Sequence, residues 1–110
     1  MHEQQTTVLE IKGRLDGLAS PELEGRIKAA LDARPPGLVL DFDAVDFVSS
    51  AGLRVLLSAS KRCRQQGTKL ALHSIKTPIA DVFDMGGLTA FLPVYPDRAA
   101  ALAAVRPAQS

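Results

Sequence analysis

Between Val8 and Leu15 apolar and polar residues alternate, with Leu9, Ile11, Gly13 and Leu15 on one side and Val8, Glu10, Lys12 and Arg14 on the other. A period of two predicts a strand with one wet face. The stretch "DGLASPE" ends it, and Ser20 before Pro21 predicts an N-cap with proline at the first helical position, where its missing N–H costs nothing. Leu23, Ile27, Ala30 and Leu31 then recur at helical spacing until "RPPG" stops the helix. In "LVLDFDAVDFV", Leu38, Val39 and Leu40 are apolar on both faces, which predicts a strand deep in a sheet. A second helix is predicted over "SSAGLRVLLSASKRCRQQG", with Leu53, Leu56, Leu57 and Ser60 inward. Lys61, Arg62 and Arg64 crowd its negative end, and Gly67 stands just past it.

The rest of the chain repeats the scheme. "TKLALHSI" predicts a short strand, and Thr77 with Pro78 a second cap-plus-proline start. Ile79, Val82 and Phe83 form the apolar face of the helix they open, and Met85, before Gly86 and Gly87, packs against its end. "FLPVYP" predicts a last strand, placed at an edge by its two prolines. Asp97 caps a final alanine-rich helix with Leu102 and Val105 inward. Alternating strand and helix specify an α/β layer structure with a largely parallel sheet. No linker, repeat or low-complexity tract interrupts the chain, so a single domain is expected over 1–110, with 1–6 and 106–110 frayed.

Composition narrows the function classes. Of 110 residues, 46% are hydrophobic and 23% charged, enough apolar material for a core. The formal net charge is +1 and the basic residues are scattered, whereas a nucleic-acid footprint needs them massed. A lone Cys63 cannot form an internal disulfide, which points to a reducing compartment. The opening "MHEQQTTVLEIKG" lacks the apolar core of a signal peptide, and no apolar run approaches the about 20 residues that cross a bilayer. A cytoplasmic protein without membrane insertion is expected.

Candidate chemistry is sparse. A hydrolase needs a nucleophile with a base beside it, but "VSSAG" is not the G-x-S-x-G elbow, and only His2 and His73 supply imidazoles. Asp41, Asp43 and Asp46 are the one dense acid group, and three carboxylates near a strand end can hold magnesium. Asp46 belongs to the following turn in this reading, and no phosphate-cradling loop accompanies the three, so solvated turn acids are the simpler account. No metal spacing, Walker loop or dinucleotide fingerprint is present, and no cofactor is expected. Cys63 reads as a small, half-buried side chain, although the neighbouring arginines would lower its pKa if it were exposed. By elimination, chemistry is expected to be done to this chain rather than by it.

The place for that chemistry is "VDFVSSAGLRVLL", where two serines stand at the corner between a strand and a helix. On residue chemistry alone, Ser49 or Ser50 is first an N-cap and second a phosphate acceptor. The segment resembles the signature of STAS domains, specifically the stand-alone bacterial anti-sigma factor antagonists. "GRLDGLASPELEGRI", "GLVLDFDAVDFVSSAGLRVLLSASKR" and "PIADVFDMGGLTAFLPVYPDRAAAL" extend the likeness over most of the chain. The resemblance implies a small mixed, largely parallel sheet of four to five strands, with about four helices packed mainly on one side.

It also implies partner switching without enzymatic activity. The unphosphorylated antagonist binds an anti-sigma factor that is also a serine kinase, phosphorylation at the helix start ends the complex, and a PP2C-type phosphatase reverses the mark. In the strictest motif the corner reads Asp-Ser-Ser-Gly and the serine before the glycine accepts phosphate. Here Ala51 holds that position, Ser50 precedes it and Ser49 stands where the aspartate would. Ser50 is the expected acceptor and Ser49 the second choice, with Ser49, Ser50, Ala51, Gly52 and Arg54 as the partner-binding set. The alternative is an unphosphorylated STAS module serving as a constitutive subunit of a transporter or other signalling assembly. Ala51 is its best support.

Overall fold

A computed structural model of the chain describes residues 5–106. Four strands, β1 (Thr7–Leu15), β2 (Gly37–Val48), β3 (Lys69–His73) and β4 (Val94–Tyr95), form one sheet in the order β1-β2-β3-β4. Every neighbouring pair is parallel. The helices are α1 (Ser20–Asp32), α2 (Ser50–Gln66), α3 (Thr77–Met85) and α4 (Arg98–Val105), with a single 3₁₀ turn at Leu88–Ala90. Right-handed crossovers that advance in one direction leave their helices on one face of the sheet. Helices α1, α2 and α3 accordingly share one core with Ile11, Leu38, Leu40 and Phe42. Helix α4 covers the other face, where Ala101 and Val105 meet Val39 and Ala71. This is the α/β layering expected, with helices mainly on one side.

Leu38, Val39 and Leu40 are fully buried, as befits a strand with cores on both faces. Beyond Asp41, β2 leaves β3 and continues with β1 alone as far as Val48. Two register shifts lie in this extension: Glu10 to Lys12 spans Asp41 to Ala44, and Gly13 to Arg14 spans Val45 to Phe47. Each gives β2 one extra residue, a bulge that flips its alternation. Phe42 and Val45 therefore both reach the core. Asp46, expected in a turn, is a strand residue for the same reason.

Several local expectations change. The N-cap position of α1 is Ala19, not Ser20, and no side chain caps it there. Asp16 organises the turn instead: its carboxylate accepts the N–H groups of Leu18 and Ala19, each at 3.0 Å, and its carbonyl accepts the buried Ser20 hydroxyl at 2.5 Å. At α3 the N-cap is Lys76 rather than Thr77, again without a side-chain bond. Proline alone is compatible with several phases of a first turn, so it places a helix start only to within a residue.

Helix α2 buries Gly52, Leu56, Ala59, Ser60 and Cys63, with Leu53 and Leu57 at the margins of the seam. Ser60 is tolerated inside because its hydroxyl donates to the Phe91 carbonyl at 2.6 Å. Val82 is half exposed and Met85 is 88% exposed, so neither packs as expected. In α4 the inward residues are Ala101 and Val105, with Leu102 only partly buried. The predicted frayed ends fall largely outside the described residues.

Candidate functional site

The loops at the carboxyl ends of the strands are where open α/β sheets place ligands and partners. The serine corner is at that edge. Ser49 has an extended backbone (φ −85°, ψ 174°) and is the N-cap of α2. Its hydroxyl accepts the Gly52 N–H at 3.2 Å and donates to the Leu15 carbonyl at 3.0 Å. Its own N–H reaches the same carbonyl at 2.9 Å. Ser49 thus ties the end of β1 to the first turn of α2, and its hydroxyl is fully used.

Ser50 is different. It is the first residue of α2, exposed, and its hydroxyl makes no hydrogen bond among the described residues. Leu53 N–H bonds the Ser49 carbonyl at 2.9 Å. With Gly52 N–H capped, the N–H groups of Ser50 and Ala51 are left as the open donors of the helix start. No acidic residue stands in the first turn. A negative group on Ser50 would therefore meet open N–H groups and no carboxylate of its own turn.

Gly52 is buried for a steric reason. A Cβ there would lie 2.8 Å from the Leu15 carbonyl oxygen and 2.9 Å from Leu15 Cγ. Only glycine lets the helix start approach β1 so closely. Ala51 and Arg54 line a shallow cleft between α1 and α2 together with Gly17 and Glu24. Arg54 is exposed and forms no ion pair among the described residues. The structure thus brings Ser49, Ser50, Ala51, Gly52 and Arg54 together in one helix start.

The other candidates are scattered. Asp41 accepts the Asp43 N–H at 2.9 Å and Arg98 Nη2 at 2.9 Å. Desolvation raises its pKa, but these hydrogen bonds and the nearby His73 and Arg98 outweigh it, and the carboxyl lies below the ordinary aspartate value. Asp46 is paired with Lys76 at the start of α3. The three aspartates do not converge, and no metal-holding cluster exists among the described residues. His73 is buried, its Nδ1 is 2.8 Å from Ser74 Oγ and its Nε2 faces Asp41 at 4.0 Å. It pairs with Asp41, eight residues before Ser49 along β2. At ~3.3 Å per residue that is about 26 Å of extended strand, and even with two bulges shortening it His73 is too far to act as a base for either serine. His2 lies outside the described residues.

Cys63 is buried, and desolvation pushes its thiol up to about 11 against a smaller opposing pull from Arg62. Burial decides which arginine effect matters. No helix among the described residues is long and apolar enough to cross a membrane.

The exposed apolar residues at this edge, Leu18 and Phe47, carry no helical or strand period that would mark them in the sequence. The guanidinium of Arg14 lies over the Phe47 ring, 4.2 Å from its centroid. The cross-strand register of Arg14 with Phe47 explains the contact, but that register depends on both bulges.

Comparison with known proteins agrees with this architecture. BtrV of Bordetella bronchiseptica, which carries an anti-sigma factor antagonist name, is 35% identical over 98 residues, covering 89% of this chain and 84% of that protein. An anti-sigma F factor antagonist of Paenibacillus polymyxa is 28% identical over 102 residues, covering 92% and 87%. The crystal structure of an anti-sigma factor antagonist from Mycobacterium paratuberculosis superposes with a TM-score of 0.85 at 28% identity, covering 97% of this chain and 91% of the other. The STAS domain profile itself matches residues 1–101. With sheet order, helix placement and the serine corner all accounted for, the chain belongs to the STAS domain family.

Proposed function

We propose that this chain is an anti-sigma factor antagonist working as a cytoplasmic partner switch. Unphosphorylated, it binds an anti-sigma factor that is also a serine kinase and so frees a sigma factor. Phosphorylation of Ser50 ends the complex, and a PP2C-type phosphatase restores it. Kinship with proteins named as anti-sigma factor antagonists supports the role. The observation that carries the choice of residue is the exposed, unbonded hydroxyl of Ser50 beside the doubly bonded hydroxyl of Ser49.

A phosphoserine carries about −1.5 to −2 charges. At the start of α2 that charge is favoured by roughly 0.3–1 kcal/mol, so the fold tolerates it. A docked partner does not. Burying the charge without a matching cation costs several kcal/mol, and about 3 kcal/mol already weakens binding roughly a hundredfold. The mark therefore acts by release.

Ser50→Asp should keep its melting temperature and lose the kinase, while Ser50→Ala should bind the kinase and resist modification by it with ATP. Mass-spectrometric mapping that finds the phosphate elsewhere, or undiminished binding of Ser50→Asp, would sink the switch at Ser50. Ala51 at the family's usual acceptor position favours a second reading, a constitutive STAS subunit of a transporter or signalling assembly. That reading gains if no serine at the corner is ever modified.

A further inference from the structure

We propose that the open edge of β3 binds a small N-acylated amino acid: an apolar side chain, one amide N–H and a free carboxylate. The site is at the amino end of the sheet, where Lys69 pairs with Gly37, and not at the serine corner that follows Val48. It does not depend on the antagonist reading.

The register explains why this edge is open. Lys69 N–H bonds the Pro36 carbonyl on the β2 side, so by alternation Leu70 and Leu72 turn their backbone groups to the β4 side. There the Pro93 carbonyl takes Leu72 N–H at 2.9 Å, and the Tyr95 carbonyl takes Ser74 N–H at 3.2 Å. The pairing of β4 covers Leu72 and His73 and goes no further back. Carried back in the same register, the Leu70 carbonyl would need an N–H from residue 93, which is proline and has none. The Phe91 carbonyl, next in line for Leu70 N–H, is engaged by the Ser60 hydroxyl at 2.6 Å. Leu70 thus keeps an N–H and a C=O without a partner among the described residues.

A cavity of about 360 Å³ opens beside Leu70, walled by Arg64, Lys69, Phe91, Pro93 and Ala104. That volume suits a small molecule. Only one residue of edge is free before β4 begins, so a single amino-acid unit fits and a strand does not. In an antiparallel pair two residues exchange both of their hydrogen bonds. An N-acyl amino acid set against Leu70 gives its N–H to the Leu70 carbonyl and takes Leu70 N–H on its carboxylate.

Charge selects the acylated form. Arg64 and Lys69 are exposed, have no ion pair among the described residues, and share the cavity with no acidic side chain. Arg64 lies over the Phe91 ring, 5.1 Å from its centroid, and Lys69 Nζ donates to the Arg106 carbonyl at 3.3 Å, which holds both cations at the cavity. The carboxyl ends of α2 and α4 oppose an anion by about half a charge each, and two full cations outweigh them. A free amino acid would bring its ammonium against the same cations. Acylation removes that charge and keeps the N–H.

The test titrates N-acetyl-L-leucine into the full chain and follows the backbone amides by nitrogen–proton correlation spectra. Saturable shifts centred on Leu70 and Phe91 are expected, with a dissociation constant in the millimolar range that suits so small a ligand. N-acetyl-L-leucinamide, which lacks the carboxylate, and free leucine should each bind about tenfold more weakly. Arg64→Gln combined with Lys69→Gln should cost about tenfold. Lys12→Gln, which removes an exposed cation from the opposite edge strand, should bind like the parent. Ala104→Leu fills the cavity and should abolish the shifts while its circular dichroism matches the parent. Shifts that never saturate, equal binding of the amide, or full binding by folded Ala104→Leu would overturn the site. A leucine-terminated peptide that binds more tightly than N-acetyl-L-leucine would overturn the free-molecule assignment in favour of a protein's carboxyl terminus.

Discussion

Gly52 packs directly against Leu15: any Cβ at position 52 would stand 2.8 Å from the Leu15 carbonyl oxygen. That oxygen is backbone, and it is also the acceptor of the Ser49 bonds, so it cannot move aside without loosening the corner. Gly52→Ala is expected to destabilise the protein by about 1–3 kcal/mol, the range for forcing a methyl into a filled site. Gly25, in the interior of α1, has nothing within 4 Å of a built Cβ. Gly25→Ala should stabilise by about 0.5–1 kcal/mol through helix propensity and reduced freedom of the unfolded chain. Urea unfolding of the pair checks both signs. Equal effects would mean the contact at Leu15 is not what requires glycine.

The two serines should separate in the same assay. Ser49→Ala removes the cap of α2 and is expected to cost about 1 kcal/mol. Ser50→Ala removes an exposed hydroxyl with no bond among the described residues and should fall within about 0.5 kcal/mol of the parent. A destabilised Ser50→Ala would assign it a structural bond that the geometry does not contain.

How much of this was legible beforehand depends on the range of the interaction. The α/β layering came from periods of two and of three to four, which act within one element, and Leu38 to Leu40 carried their two-sided burial in plain apolar sequence. The cap of α2 was legible to within the pair Ser49 and Ser50. The choice between them was not, because it depends on Leu15, thirty-four residues away. Asp16 was missed as the organiser of α1 since Ser20 and Pro21 offer the stronger local signal. Asp46 was misplaced because two bulges in β2 lengthen the strand, and bulges arise from pairing rather than composition. Leu18 and Phe47 follow no period that would mark them in the sequence, and only their exposure in the fold does.

Acid should loosen the face covered by α4. The Asp41 carboxyl has a folded pKa below its ordinary value of 3.8, because hydrogen bonds from Asp43 N–H and Arg98 outweigh the opposing desolvation. A depressed carboxylate contributes stability that is fully present above the unfolded value and is lost as pH falls through the folded one. The parent should therefore lose stability from about pH 4 downward. Asp41→Asn, which no longer titrates, should be less stable at neutral pH and show a shallower decline over that acid range. Denaturant midpoints against pH measure the slope, and identical slopes in parent and variant would remove Asp41 from the acid response.

Cys63 gives the last test, since its buried thiol is raised to about 11 by desolvation. Only a thiolate attacks a disulfide reagent, and at pH 8 such a group is almost wholly protonated as well as screened from reagent. In the native protein, labelling with Ellman's reagent should be slow and should track opening of the core, becoming fast and complete in denaturant. The neighbouring Arg62 does not alter this, because its guanidinium is paired with Asp32 at 2.7 Å. Cys63→Ala should fold and cost about 1 kcal/mol for the lost sulfur contact, whereas Cys63→Ser buries a hydroxyl and should cost more, about 1–3 kcal/mol if it finds no acceptor. Rapid stoichiometric labelling of the folded protein at pH 8 would show that the seam between α2 and the sheet opens far more readily than its packing implies.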